Sequence, residues 1–410
     1  MGSLLEQKRQ EPPRLTAARG FGYSLGNLGT QACSSFASAA LPLYLGAYGL
    51  QNWAIGLLAQ ERSVLGVFVQ PITGLISDRL PVTRLGRRRP FLLAGIAGIG
   101  PALLLLALHP PLWAVILLVT LFSLTYSVCY DPYQALLMDI APVDQRASVS
   151  GLQQLLATTG QLLIGVLFFA LWTNHQAAAF GACFGLMAVT FLAAFLAARE
   201  PASLSPRPAA LPRLSSYRAD ILGQPALARL LLSTALFYLG MGGVTPFLTR
   251  FGVEVLHAPE NVAFLLLVPA ATGIATAAFI VNRLGPRLDQ PRVMTWSLLA
   301  LAILMSSCAS IVRTFPQGVA ATFIIGISCG FTYSLMYPFL TRLIPSSRAA
   351  EFTGIGNSVW SLTQPLGALI SGGLADSTGT LRGSFAGAGI ALFAAFLVMR
   401  TVKTPDDALT

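Results

Sequence analysis

The chain has 410 residues, 54% of them hydrophobic and only 10% charged, where a soluble globular protein carries about 25% charged residues. So little polar surface excludes a water-soluble body of this size and calls for lipid around much of the chain. The formal charge of +10 points to nucleic acid only until the cations are placed: all but four of the 26 Lys and Arg (Arg62, Arg250, Arg313, Arg382) fall in the tails and in alternate breaks between apolar runs, a bias that belongs to membrane topology and puts both termini in the cytoplasm.

In chain order, residues 1–19 read as a cytoplasmic tail, running into an apolar stretch too long for a signal-peptide core, so no cleaved signal is expected. Twelve membrane helices are then expected near 20–47, 54–77, 89–108, 111–138, 149–172, 176–198, 226–250, 260–282, 291–312, 316–341, 352–375 and 381–400. The first carries Asn27, Gln31, Ser34 or Ser35, and Ser38 at spacings that keep them on one face. The second holds Glu61 and Arg62, adjacent residues that point roughly 100° apart on a helix and so each need another partner.

The loop after the second helix has the most specific pattern. Gly74 is expected to permit close helix approach, and Asp78 to cap or bridge a neighbouring helix end. Arg79, Gly86, Arg87 and Arg88 follow, and the arginines are expected to meet carboxylate partners such as Asp139 across the gap, with Arg146 a further cation of the same cytoplasmic gate. Such ties would hold one face shut. Positive-inside orientation alone would explain the arginines but not the Gly, Asp and Pro around them.

The fourth helix presents Ser123, Ser127, Asp131 and Gln134 on one stripe and Tyr126, Tyr130 and Tyr133 on a neighbouring one. Asp131 precedes Asp139 by eight residues, so it lies roughly 12 Å deeper at 1.5 Å per residue. A carboxyl there is able to carry a proton, with Glu61 as a second candidate; bridging between helices is the plainer role for Asp131, and snorkelling or structural pairing the plainer one for Glu61 and Arg62. The fifth helix adds Gln154, Thr158 and Gln161. A proline-bearing break at 199–225 then reads as a cytoplasmic linker between an N-terminal bundle, 20–198, and a C-terminal bundle, 226–400, with a tail at 401–410.

The second half repeats the first. Pro142 and Gly151 match Pro345 and Gly354 at an offset of 203, which also relates Tyr130 to Tyr333 and Gln154, Thr158 and Gln161 to Asn357, Ser361 and Gln364. Near offset 204, Asp78-Arg79 faces Asn282-Arg283. Trp360 adds an aromatic face beside the eleventh-helix set. Internal symmetry of this kind marks transporters that hold a solute near the midplane between two bundles. The polar stripes then line a cavity of amides, hydroxyls and aromatic faces suited to a neutral polyhydroxylated solute, unless they simply join helix to helix at about 0.6 kcal/mol per contact.

The five cysteines all fall within apolar spans at no metal-ligand spacing, and His109, His175 and His257 fall in expected external loops. No Gly-rich phosphate loop with a lysine occurs, so no ATP-driven step, metal or cofactor is expected.

Gly-x-x-x-Asp-Arg at 74–79 followed by Gly86-Arg87-Arg88 resembles the signature loop of the major facilitator superfamily. The longer form, Val69-Gln70-Pro71-Ile72-x-Gly74-x-x-Ser77-Asp78-Arg79, six residues, then Gly86 to Phe91, is similar to the sucrose carriers of plants and their animal relatives, within the glycoside-pentoside-hexuronide:cation symporter group. Pro132-x-x-Ala135-Leu136-Leu137-x-Asp139 looks like a second motif of those carriers.

The resemblance implies an all-α fold of twelve helices in two six-helix bundles and proton-coupled symport of a sugar or glycoside. Its implied partners are a sugar-like solute, protons and the bilayer, with no nucleic acid, in a monomer of the cell (plasma or inner) membrane. Departures also matter. Ser123 stands where sucrose carriers have an aspartate and Gln134 where they have an arginine. Gly66 and Gln70 align with two acidic residues of melibiose-type relatives, which makes sodium coupling through that pair unexpected, and Gln31 aligns with their sugar-binding aspartate. Asp131 aligns with an aspartate of the latter group, so coupling is expected to have moved there. Arg62 completes the solute-site candidates. An exporter of amphipathic compounds and a non-transporting sensor of the same fold are the alternatives.

Overall fold

The computed structural model describes residues 14–81, 83–201, 223–284, 288–343 and 349–402. Most of the expected linker and parts of both tails lie outside the described residues. The helices are α1 (Ala17–Ser35), α2 (Leu41–Gly46), α3 (Asn52–Ala59), α4 (Glu61–Arg79), α5 (Arg89–Leu106), α6 (Leu112–Ile140), α7 (Val143–Leu171) and α8 (Gln176–Ala197). They continue with α9 (Pro225–Val244), α10 (Leu248–Glu254), α11 (Glu260–Ala263), α12 (Leu267–Leu284), α13 (Gln290–Ser310), α14 (Phe315–Leu343), α15 (Ala349–Thr378) and α16 (Arg382–Met399).

Each of the twelve expected spans is occupied by helix. Nine helical stretches among the described residues are long and apolar enough to cross a membrane. The other three are the broken or more polar ones. Span one passes through a π-helical turn at Phe36–Ala40 between α1 and α2. Span two breaks at Gln60 between α3 and α4, just before Glu61 and Arg62. Span eleven, α15, carries Asn357, Ser361, Gln364 and Asp376. A π turn leaves backbone out of α register and is common where a helix serves a function.

The chain forms two compact units. One comprises residues 1–36, 65–167 and 171–210; the other comprises 37–64, 168–170 and 211–410. In the first, α1 packs on α8 and α5 packs on α6 and α8. In the second, α12 packs on α14, α9 on α15 and α16, and α13 on α14 and α16, while α3 packs on α15. Gly26 allows a further close approach, of α6 to α1: a Cβ there would stand 2.5 Å from the Tyr133 ring.

Candidate functional site

In the first unit α1 and α6 meet through polar side chains. Gln134 Nε2 donates to Asn27 Oδ1 at 3.0 Å. One turn along, Tyr23 and Tyr133 exchange hydrogen bonds, Tyr23 Oη to the Tyr133 carbonyl at 2.8 Å and Tyr133 Oη to the Tyr23 carbonyl at 2.9 Å. Gln153 Nε2 donates to Tyr133 Oη at 3.3 Å and ties α7 into the same network. Tyr126 and Tyr130 stack with centroids 5.5 Å apart, and Tyr126 donates to the Thr30 carbonyl at 3.4 Å.

Asp131 lies between Tyr130 and Pro132 and is partly buried; among the described residues no hydrogen bond or ion pair reaches its carboxylate. Pro132 lacks an N–H, so the Val128 carbonyl loses its helical donor at this level, and the backbone beside Asp131 is locally loosened. Gln31 and Gln161 are partly buried. Gln154, expected alongside them, is exposed, and Thr158 folds back onto its carbonyl at 3.1 Å. The neighbouring Gln153 takes the inward position, a rotation of about 100° that a polar run of two glutamines does not resolve in sequence.

At the Asp139 end of the same unit, Arg87 donates to Asp139 Oδ2 at 2.7 Å with both side chains buried, 1% and 0% exposed. Arg88 reaches the same oxygen at 3.0 Å and also pairs with Asp78. Arg88 further donates to the Ala135 carbonyl, and Arg146 to the carbonyls of Met138 and Ala141, both at 3.0 Å. These cations gather on carbonyls in the last turns of α6, where the helix dipole favours positive charge.

Glu200, which the sequence reading passed over as linker, holds the start of α5. Its carboxylate accepts from the backbone N–H of Arg87 at 2.7 Å and of Arg88 at 3.1 Å. Gly86, at φ +91°, is what lets that carboxylate sit against the loop. Arg89 lies 4.2 Å over the Phe195 ring and donates to its carbonyl at 2.8 Å. Arg79 is exposed. The close approach expected at Gly74 is not found: no described atom lies within 4 Å of the place its Cβ would occupy. The Arg87, Arg88, Asp78 and Asp139 tie lies wholly within the first unit.

The second unit holds the remaining candidates. Glu61 and Arg62 are partly buried at the start of α4. Tyr333 and Trp360 flank Tyr238, with Trp360 stacked on it at 5.4 Å and Tyr333 tilted at 5.9 Å. Trp360 is buried, and its indole N–H bonds Thr234 Oγ1 at 3.0 Å, so its ring joins α15 to α9 instead of opening onto a cavity. Asn357 is exposed and Gln364 partly buried.

This unit also contains a contact without a sequence signal. The Asp376 carboxylate, near the end of α15, accepts from the backbone N–H of Asn52 and Trp53 at 2.9 and 3.0 Å and from Asn52 Nδ2 at 2.8 Å. Arg250 grips the other side of the same amide, donating to Asn52 Oδ1 at 2.6 Å and to Glu254 Oε1 at 2.9 Å. Among the described residues no group of three or more His, Cys, Asp or Glu side chains is placed to hold a metal.

Membrane-crossing helices with amide and phenol groups turned inward, and a buried arginine–carboxylate tie at one helix end, define a multi-pass membrane transporter. The profile of the family described as MFS/sugar transport protein matches residues 22–378. The chain belongs to that family, and its fold is the all-α major facilitator fold.

Solved structures share the fold. The nucleoside transporter NupG is similar with a TM-score of 0.71 at 14% identity, over 95% of this chain and 100% of that one. A bacterial homologue of the human lysosomal transporter Spinster, solved inward-facing and unoccupied, gives 0.68 at 16%, over 94% of each chain. The peptide transporter POT, solved with sulfate, gives 0.71 at 14%, over 96% of each. No curated protein matches the chain.

Proposed function

We propose that the protein is a secondary active transporter that moves a sugar or glycoside, of about sucrose-like size, together with protons by alternating access between bundles 20–198 and 226–400. The observation that carries this reading is the Asp131 carboxyl: partly buried, without a described donor or cation on it, and one turn from the Gln134–Asn27 amide pair. A lone charge at that depth costs at least about 3 kcal/mol, a penalty that binding a proton removes. The amides and the Tyr126–Tyr130 stack beside it offer hydrogen bonds and an aromatic face to a hydroxylated ring. Gln31 and Gln161, partly buried in the same unit, extend the solute site; Arg62, Asn357 and Gln364 of the second unit are further solute-binding candidates and Glu61 a further coupling candidate. Membership in a family described by sugar transport supports the choice of solute. The protein works as a monomer in the cell membrane with both termini cytoplasmic.

Uptake of labelled sucrose, maltose and monosaccharides into proteoliposomes under an inward proton gradient tests the reading. Expected is gradient-driven accumulation in the intact protein that Asp131→Asn abolishes while solute exchange across the membrane persists. Accumulation that survives Asp131→Asn refutes the coupling site. Absence of uptake for every sugar refutes the solute class and favours export of amphipathic compounds or sensing.

A further inference from the structure

The internal repeat extends to the helix ends, and there the two halves differ in charge. Ala193-Ala194-Phe195-Leu196 recurs 201 positions on as Ala394-Ala395-Phe396-Leu397, and the same offset relates Arg199 to Arg400, Pro90 to Pro291 and Glu200 to Thr401. The equally long α6 and α14 are related by 203, which pairs Asp139 with Arg342. In the first half this corner is filled by the chain's own anions: Glu200 on the start of α5, and Asp139 between two arginines. The corresponding corner of the second half has a threonine and an arginine in those two places.

What stands there is a cavity of about 630 Å³ at the joined ends of α13, α14 and α16. Gln290, Arg292, Trp296, Arg342, Phe396 and Arg400 are among its walls. Arg400 lies 5.5 Å over the Phe396 ring, as Arg89 lies over Phe195 in the first half. Asp289 caps α13 and pairs with Arg292 at 3.0 Å, so that cation is spoken for. Gln290 is only 7% exposed, and its buried Oε1 has no hydrogen-bond partner among the described residues. That oxygen is closed off from the cavity, so what the cavity lacks is an anion opposite Arg342 and Arg400.

We propose that this cavity binds the phosphate of an anionic lipid headgroup, held by Arg342 and Arg400. A lipid fits the surroundings better than a soluble phosphate. Trp296 is 66% exposed at the cavity mouth, one turn from apolar Leu299, which is the placement of an interfacial aromatic anchor. The 29 residues of α14 span about 43 Å at 1.5 Å per residue, longer than a hydrocarbon core of about 30 Å. Arg342 at its end therefore reaches headgroup level. Basic pockets between membrane helices hold acidic headgroups in just this setting.

The test uses the purified full chain in detergent and dioctanoyl phosphatidylglycerol, whose headgroup carries both a net charge and hydroxyls. Native mass spectrometry and thermal melting read binding against dioctanoyl phosphatidylcholine and inorganic phosphate. Phosphatidylglycerol is expected to bind and to raise the melting temperature where phosphatidylcholine does not. The double variant Arg342→Gln, Arg400→Gln is expected to bind it about 20- to 30-fold more weakly, from about 1 kcal/mol per cation. Arg313→Gln, an exposed cation outside the cavity, is expected to leave binding unchanged. If the double variant does not fold, the single variant Arg342→Gln, at an exposed side chain, is expected to weaken phosphatidylglycerol about fivefold. Equal binding of the two lipids, or undiminished binding by the variants, overturns the site. Equal stabilisation by inorganic phosphate overturns the lipid as its source.

Discussion

Asp139 is acceptor to two arginines in a place closed to water, and the energetic consequences are asymmetric. The pair as a whole is a poor source of stability, because removing both ions from water costs nearly what their attraction returns. Removing one partner strands the others. Asp139→Asn leaves Arg87 and half of the bonding of Arg88 buried without a counter-charge, a loss expected at about 3–5 kcal/mol and visible as the largest fall in melting temperature among loop variants.

Gly86→Ala acts differently: it places a Cβ on a backbone at φ +91° and pushes Glu200 from the start of α5, for an expected loss of about 1–3 kcal/mol. Gly74→Ala is the contrasting case. Nothing described crowds that position within a helix, so the exchange is expected to stabilise by up to about 1 kcal/mol through helix propensity. A Gly74→Ala protein that melts as low as Gly86→Ala would contradict the open space at Gly74.

At the scale of an element, the start of α3 is held by a carboxylate from another helix. Asp376 supplies to Asn52 and Trp53 the acceptor that an N-cap residue normally supplies from within, and Gln51, the local cap position, makes no such bond. Asp376→Ala is expected to cost about 1 kcal/mol of local stability, read as faster hydrogen exchange at residues 52–59 with exchange in α6 unchanged. Unchanged exchange at 52–59 would show the cap to be idle.

This is also where sequence and structure part company. Helix positions, the Arg87–Asp139 partnership and the half-to-half repeat were readable, because apolar length, charge complementarity and spacing are local or pairwise properties. Which of Gln153 and Gln154 faces Tyr133, that Trp360 is buried against Thr234, and that Asp376 reaches Asn52 depend on helix rotation and on packing between residues up to 324 positions apart. No pattern in a single helix records that information. Glu200 was missed because an acid following Arg199 looks like the first residue of a polar linker; only the folded loop 86–88 shows what it accepts.

For the whole molecule the placement of charge predicts topology. Arginines concentrate at the breaks after spans two, four, six, eight and ten and in the tails, and retaining such loops on the cytoplasmic side is the rule for inserted helices. On that rule Arg84 is expected inside and Arg313 outside, both exposed on their loops. The native cysteines are all buried, so a membrane-impermeant thiol reagent meets little background. Arg84→Cys is expected to be labelled in inside-out vesicles but not in right-side-out ones, and Arg313→Cys the reverse. The same pattern must survive in the Asp139→Asn chain if the arginine tie braces a bundle after insertion. Inversion of both labels there would instead mean that the loop arginines, once released from Asp139, alter how the chain is threaded, and that the tie forms before the first bundle is complete.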